Sequence, residues 1–280
     1  MNSQTGSIEV RVDLANPGQY FACCGLLELT HRLGHESEGW FDSGTFFLRS
    51  AAGGPDLLKA LSKCSINNTM TQVQKKRREE LGAMGQKAIK ANPDLTEEKK
   101  TLDSLWRELP VVFGEPFGLQ IDWFLDERSG GNSFKTWAGQ QSIVDIVSDL
   151  RQLMPPSNSD SATWLETTSS ACVPLNFDSN LGGAGADVDI GFSFDPLKIS
   201  GFRIAMRPAI ELLAFVGLQR FRPAEFSRTW EYGIWNRPAG VELGALTACG
   251  GVSRLASKRY RFQLLYRTKY LKSFLPGRPV

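Results

Sequence analysis

The sequence predicts an α+β fold: a mixed or antiparallel sheet packed on two buried helices, with an exposed helical insertion. Three observations predict it. Ile8–Leu14 and the run from Arg259 alternate apolar and polar residues with the two-residue period of half-buried strands. Two segments, 20–29 and 208–219, are apolar nearly all round, as helices are at the centre of a core. Between 70 and 108 the composition switches to charge runs with a narrow apolar stripe. No internal repeat or long linker interrupts the 280 residues, so one composite domain over 1–280 is expected, with 70–108 as an insertion within it.

The elements follow in chain order. Ile8, Val10, Val12 and Leu14 form the apolar face of the first strand. Asn16 then offers an N-cap, Pro17 fits the first helical position, and Gln19 is spaced to complete a capping box for the helix through Leu29. Cys23 and Cys24 within it read as small core hydrophobes. Short strands are expected at Gly39–Phe41 and Thr45–Leu48, then a short helix over Asp56–Lys63. The insertion reads as two helices broken at Pro93, and its Lys75–Arg78 cluster either pairs with nearby glutamates or touches a phosphate backbone. Leu119–Leu125 alternates as a strand, a helix runs from Ser142 to Leu153, and strand-like stretches recur at 187–194 and 202–206. After a second proline-led helix, Pro208–Gln219, the stretches Thr229–Trp235 and Val241–Leu246 read as a hairpin around Asn236–Gly240.

No apolar run approaches the roughly 18 residues of a membrane span, and the first residues have neither the charged nor the apolar region of a signal peptide. The five cysteines, at 23, 24, 64, 172 and 249, are odd in number and scattered. A soluble chain with reduced thiols in a cytoplasm is expected. The net charge of +2 hides an asymmetry. Residues 201–280 hold 11 Arg and 3 Lys against four Glu, a net +10, which leaves −8 for the first 200. No acidic side chain follows Glu242, whereas eight basic ones do. Three readings are open: a polyanionic partner, an acidic neighbouring subunit, or a solvated basic face.

The last alternating run is the most informative for function. Tyr260, Phe262, Leu264 and Tyr266 fall on one face, and Arg259, Arg261, Gln263, Arg267 and Lys269 on the other. A sheet surface lined in this way can track a phosphate backbone. Arg254 and Lys258 just upstream extend the same basic stretch.

Catalytic and metal signatures are sparse. His31 and His35 have i, i+4 spacing, but no Glu lies between them and Gly34 breaks the helix. The other Cys residues are isolated, so no zinc site is implied. Gly182–Asp187 imitates a phosphate-cradling loop but leads into a strand-like Asp187–Ile190 rather than a helix. Asp126/Glu127 and Asp187/Asp189 are paired carboxylates without a ligand set around them. No cofactor, metal or enzymatic activity is expected.

Three blocks together resemble the third Csb protein of type I-U (also called I-G) CRISPR systems. They are Asn16–Glu28 (NPGQYFACCGLLE), Phe134–Gln141 (FKTWAGQQ) and Pro208–Pro223 (PAIELLAFVGLQRFRP), with a weaker fourth at Asp187–Ser193. The resemblance implies a subunit of a Cascade-type, RNA-guided surveillance complex at the position of a reduced large subunit. Such a subunit would read the short motif beside the target (the PAM), grip displaced DNA and recruit the helicase-nuclease, while base pairing reads the sequence. Its partners would be guide RNA, target DNA and the other effector subunits, with no membrane.

Within the blocks, the polar positions are the contact candidates: Gln19, Lys135, Gln140, Gln141, Gln219, Arg220 and Arg222 carry side chains that read base edges or phosphates. Trp137 either stacks on an extruded base or packs in the core. Two other functions stay open. One is a metal-independent endonuclease that processes guide RNA, with a Lys or Tyr as the reacting group. The other is a scaffold whose basic face docks acidic protein neighbours.

Overall fold

The computed structural model describes residues 6–34, 36–125, 134–137, 141–181, 205–251, 254–266 and 272–280. It is an α+β chain whose described strands pair antiparallel throughout. Four small sheets replace the single sheet expected. Strand β1 (Gly6–Arg11) pairs with β3 (Thr45–Ser50), which pairs with β2 (Ser37–Asp42). Strands β4 (Ile66–Asn68), β5 (Val111–Phe113) and β6 (Leu119–Ile121) form the second sheet. The third has the order β12 (Arg278–Pro279), β9 (Lys258–Phe262), β8 (Thr229–Ile234), β7 (Ala224–Phe226). Strands β10 (Leu264–Tyr266) and β11 (Lys272–Phe274) make a fourth, two-stranded ladder.

Two helices run through the core, α1 (Pro17–Arg32) and α7 (Pro208–Gly217). Every residue of α7, and all of α1 up to Thr30, is buried. Their backbones meet at two glycines. A methyl group on Gly25 would overlap the carbonyl oxygen of Leu213, and one on Gly217 would overlap that of Phe21. The absent side chains let apolar surfaces close at a distance that no other residue permits. Aromatic rings complete the packing around α1: Tyr20 stacks on Tyr232 at 4.4 Å, and Phe21 meets Phe262 and Phe274 edge-on. The buried phenol of Tyr20 donates to Gly233 O at 2.8 Å, so its polar end has a partner.

The N-terminus of α1 is capped as expected, with Asn16 Oδ1 accepting from Gln19 N at 3.3 Å. The Gln19 side chain does not close a capping box. Its Oε1 accepts from Asp13 N at 2.7 Å, which ties the end of the β1 segment to the helix. The Asn16 amide donates to buried Asp178 at 2.7 Å, and Arg207 pairs with the same carboxylate at 3.1 Å. Beside it, fully buried Glu211 accepts from the backbone N–H groups of Phe177 and Asp178 at 3.1 and 3.2 Å. Burial pushes the Glu211 carboxyl up to about 8; the backbone N–H bonds oppose this and the neighbouring Asp178 charge adds to it.

Residues 70–108 are helical but in three pieces: α3 (Gln72–Ala83), α4 (Gln86–Lys90) and α5 (Pro93–Glu108). Pro93 starts a helix rather than splitting one, with Asn92 capping it. Met70, Leu81 and Leu102 form a small core of their own. The basic cluster is largely internal: Arg77 pairs with Glu98 at 2.8 Å and Arg78 with Asp103 at 2.9 Å.

Two further elements differ from expectation. Val241–Ala248 is a helix, α8, not the second arm of a hairpin; the real neighbours of β8 are β7 and β9. Its buried positions, Val241, Gly244, Thr247 and Ala248, recur at helical spacing. The strand expected to reach Leu125 stops at Ile121, and a turn closed by Leu125 N to Asp122 O at 2.9 Å buries Trp123 and Phe124 together. His35, Asp126/Glu127, the Gly182–Asp189 loop, the strand expected at 187–194 and all but the end of that at 202–206 lie outside the described residues. All five cysteines are free thiols, and burial pushes those of Cys23, Cys24 and Cys64 up. No helix among the described residues is long and apolar enough to cross a membrane.

Candidate nucleic-acid interface

Alternation in β9 sorts its side chains to two sides of the third sheet. Phe262 turns inward against Trp230, Phe21 and Phe274, and half-buried Tyr260 stacks on Tyr232 at 5.8 Å. Arg259 and Arg261 turn outward and are exposed. Register adds a third arginine. Arg278 of β12 lies directly opposite Arg261, and Glu231 of β8 lies opposite it on the other side. One row across the outer face therefore reads Arg278, Arg261, Glu231, with Arg259 in the next row.

Glu231 organises this face. Arg261 donates through Nε to Glu231 Oε1 at 2.7 Å and through a second nitrogen to the same oxygen, and Arg259 approaches Oε2 at 3.9 Å. The Arg261 guanidinium also lies 5.6 Å from the ring of Phe226, which is 59% exposed. Among the described residues, Arg278 has no carboxylate partner. Three guanidiniums over one carboxylate leave a net positive sheet face, with two cations directly opposite each other in the β9–β12 ladder. Exposed Arg259 and Arg278 keep guanidinium N–H groups that can donate to phosphate oxygens, whereas Arg261 gives two of its nitrogens to Glu231.

The other positions expected to contact nucleic acid lie in different surroundings. Arg222, Arg254 and Lys258 are exposed, and Arg254 lines a cleft of about 220 Å³ with Trp235, Pro238, Leu243 and Leu255. Gln19, Gln219 and Arg220 correct the expectation, because their polar atoms are spent inside the fold. Gln219 Oε1 accepts from Asp122 N and Trp123 N at 3.0 and 3.1 Å. Arg220 grips buried Glu28 through two nitrogens. Trp137 is a core residue, 6.0 Å from Trp123 and 5.4 Å from Phe124. Gln141 is half-buried; Gln140, Arg267 and Lys269 lie outside the described residues.

Lys135 belongs to the described segment 134–137. It is half-buried, its Nζ 5.8 Å from the Trp137 ring, and burial holds its ammonium below the usual lysine range against the opposing charge of Glu108. Arg278, opposite Arg261, was missed by sequence reasoning. Pro276-Gly277 was the available signal for Arg278, since a turn there returns the chain against β9. His31 lines an open depression of about 930 Å³ with Glu36, Glu38 and Glu242, and Glu38 is already paired with Arg49. Among the described residues no group of three or more His, Cys, Asp or Glu side chains is placed to hold a metal ion. The chain matches no family model and no curated protein.

Proposed function

We propose that this chain is a non-catalytic nucleic-acid-binding subunit of a type I CRISPR RNA-guided DNA surveillance complex, at the large-subunit position. There it contacts the PAM and target DNA beside the guide RNA and recruits the helicase-nuclease, in the cytoplasm. The observation that carries the binding reading is the outer face of the third sheet, where Arg278 stands opposite Arg261 and where Arg259 and Arg261 share Glu231 as their carboxylate. The assignment to that complex rests on the three sequence blocks. Fluorescence anisotropy of the purified chain with labelled duplex DNA tests the reading. Micromolar or tighter binding that weakens with salt is expected, and no binding at low salt would overturn it.

A scaffold role has its own observation. Leu243, Leu246 and Leu255 are 41%, 49% and 39% exposed, two of them on one face of α8. If the chain binds acidic neighbouring subunits but no nucleic acid, the scaffold reading replaces the first. For guide-RNA cleavage, incubation with repeat RNA without divalent metal is the decisive comparison, with intact RNA expected.

A further inference from the structure

The segment after β8, helix α8 and the segment before β9 enclose a cleft of about 220 Å³. Its buried lining is fixed by bonds within the fold. Trp235 Nε1 donates to Gly39 O at 2.6 Å, and Thr247 Oγ1 donates to Leu243 O at 2.9 Å. Ser257 N–H donates to Ile234 O at 2.7 Å, which ties the third segment to β8. Leu243 and Leu255 line the cleft while 41% and 39% exposed, and Leu246, one helical turn beyond Leu243, is 49% exposed. Arg237 and Arg254 line it too, and both are exposed. No lining residue is acidic, and among the described residues neither arginine has a carboxylate partner. Glu242, next to Leu243 in sequence, lines the separate depression beside His31.

The chemistry of this lining selects its occupant. Exposed leucines gathered at one place and rimmed by charge mark a surface that another molecule covers. A phosphate backbone would use the two arginines and leave the leucines in water. A wholly apolar partner would cover the leucines and strip water from the guanidiniums without supplying carboxylates. A protein segment carrying apolar and acidic side chains together satisfies both halves. The volume lies below the roughly 300 Å³ at which pockets for drug-sized ligands begin, so it accepts a single large side chain.

We propose that this cleft docks an acidic segment of a protein partner through one apolar anchor. The anchor enters between Leu243 and Leu255, carboxylates on either side of it pair with Arg237 and Arg254, and a further apolar residue covers Leu246. Docking here goes beyond nucleic-acid binding and does not depend on the arginine face of the third sheet. One chain can thus hold a protein partner and a nucleic acid at the same time.

The test titrates the full chain into three short fluorescein-labelled peptides and reads anisotropy. The probe EEELFEELEE has both features, EEESSEESEE keeps only the charge, and KKKLFKKLKK keeps the apolar residues with the opposite charge. Only the first should bind. Leu243→Ser should weaken it at least about fivefold, and so should Arg237→Gln/Arg254→Gln, which also removes most of its salt dependence. Circular dichroism confirms that each variant is folded, and the comparison of peptides needs only the wild-type chain. Equal binding of the serine peptide, no binding of the first peptide, or unchanged binding in both folded variants overturns the proposal. Labelled duplex DNA supplies the last arm. If Arg237→Gln/Arg254→Gln weakens the duplex while Leu243→Ser leaves peptide and duplex alike unchanged, the cleft serves nucleic acid and the proposal falls. Arg259, Arg261 and Arg278 are intact in every variant, so failure of the cleft and failure of the function proposed above are read separately.

Discussion

Arg220 donates through Nε to Glu28 Oε2 at 2.5 Å and through a second nitrogen to Oε1 at 3.3 Å, across 192 residues of sequence. Glu28 is 1% exposed and also accepts from Arg32 Nε at 2.7 Å. Burial pushes the Glu28 carboxyl up, but the two guanidiniums outweigh it and hold it below the ordinary range. The pair joins the C-terminal turn of α1 to the segment after α7, so it fixes the helix pair at the end away from Asn16. Removing the arginine strands a buried charge that retains only Arg32. Arg220→Ala should therefore lower stability by up to about 3 kcal/mol, read by chemical denaturation, and leave nucleic-acid affinity of the folded fraction unchanged.

The crossing of α1 and α7 predicts opposite outcomes for two glycine substitutions. Gly25→Ala forces a methyl group into the Leu213 carbonyl and should cost about 3 kcal/mol or prevent folding. Gly82→Ala, inside α3 with nothing within 4 Å, should stabilise by about 0.5–1 kcal/mol. Thermal melting of the two variants side by side checks both signs.

Asn68 and Val111 are directly opposite each other in the β4–β5 ladder, so the excursion leaves and returns through neighbouring residues. Replacing residues 69–110 by a short Asn-Gly turn should leave a folded, two-state chain. A moderate stability loss is expected, because Trp106 packs against the main core, Asn68 donates to its carbonyl and its Nε1 reaches Asp145 at 3.4 Å. Only insoluble protein from this variant would mean that the main core depends on the three helices.

Glu211 gives a pH signature. Its folded pKa of about 8 lies above the ordinary carboxyl value, so the folded state binds its proton more tightly. Its contribution is fully present below about pH 4 and is lost as pH rises through about 8. Urea titrations between pH 5 and 8 should show wild type losing up to about 1.4 kcal/mol per pH unit relative to Glu211→Gln. Parallel pH profiles would contradict the assignment.

Local patterns were legible and long-range pairing was not. The Asn16-Pro17 start of α1 and the outward arginines of β9 rest on chemistry within a few residues, and both hold. Arg220 looked like a phosphate reader because its carboxylate lies 192 residues away, where no periodicity points. Gln219 was misread for the same reason: Asp122, which receives its amide, is 97 residues distant. Val241-Glu242-Leu243 alternates like a strand for three residues, and only Gly244, small enough to pack beneath Trp235, reveals the helical face. Arg278 needed the β9–β12 register before its place beside Arg261 could be seen.

The central claim is that the outer face of the third sheet binds a phosphate backbone. The most direct measurement is the salt dependence of duplex affinity for wild type and for Arg259→Gln/Arg261→Gln/Arg278→Gln. Glu231 already neutralises one of the three charges, so the log–log slope should flatten by about 2, at roughly 0.9 per phosphate, equally on duplexes of unrelated sequence. Tyr260 and Phe262 are untouched, but Glu231, 8% exposed, loses both of its arginines, so the variant should be less stable yet folded, which circular dichroism checks before the titration. An unchanged slope in a folded variant would contradict the account and turn this face toward a protein neighbour.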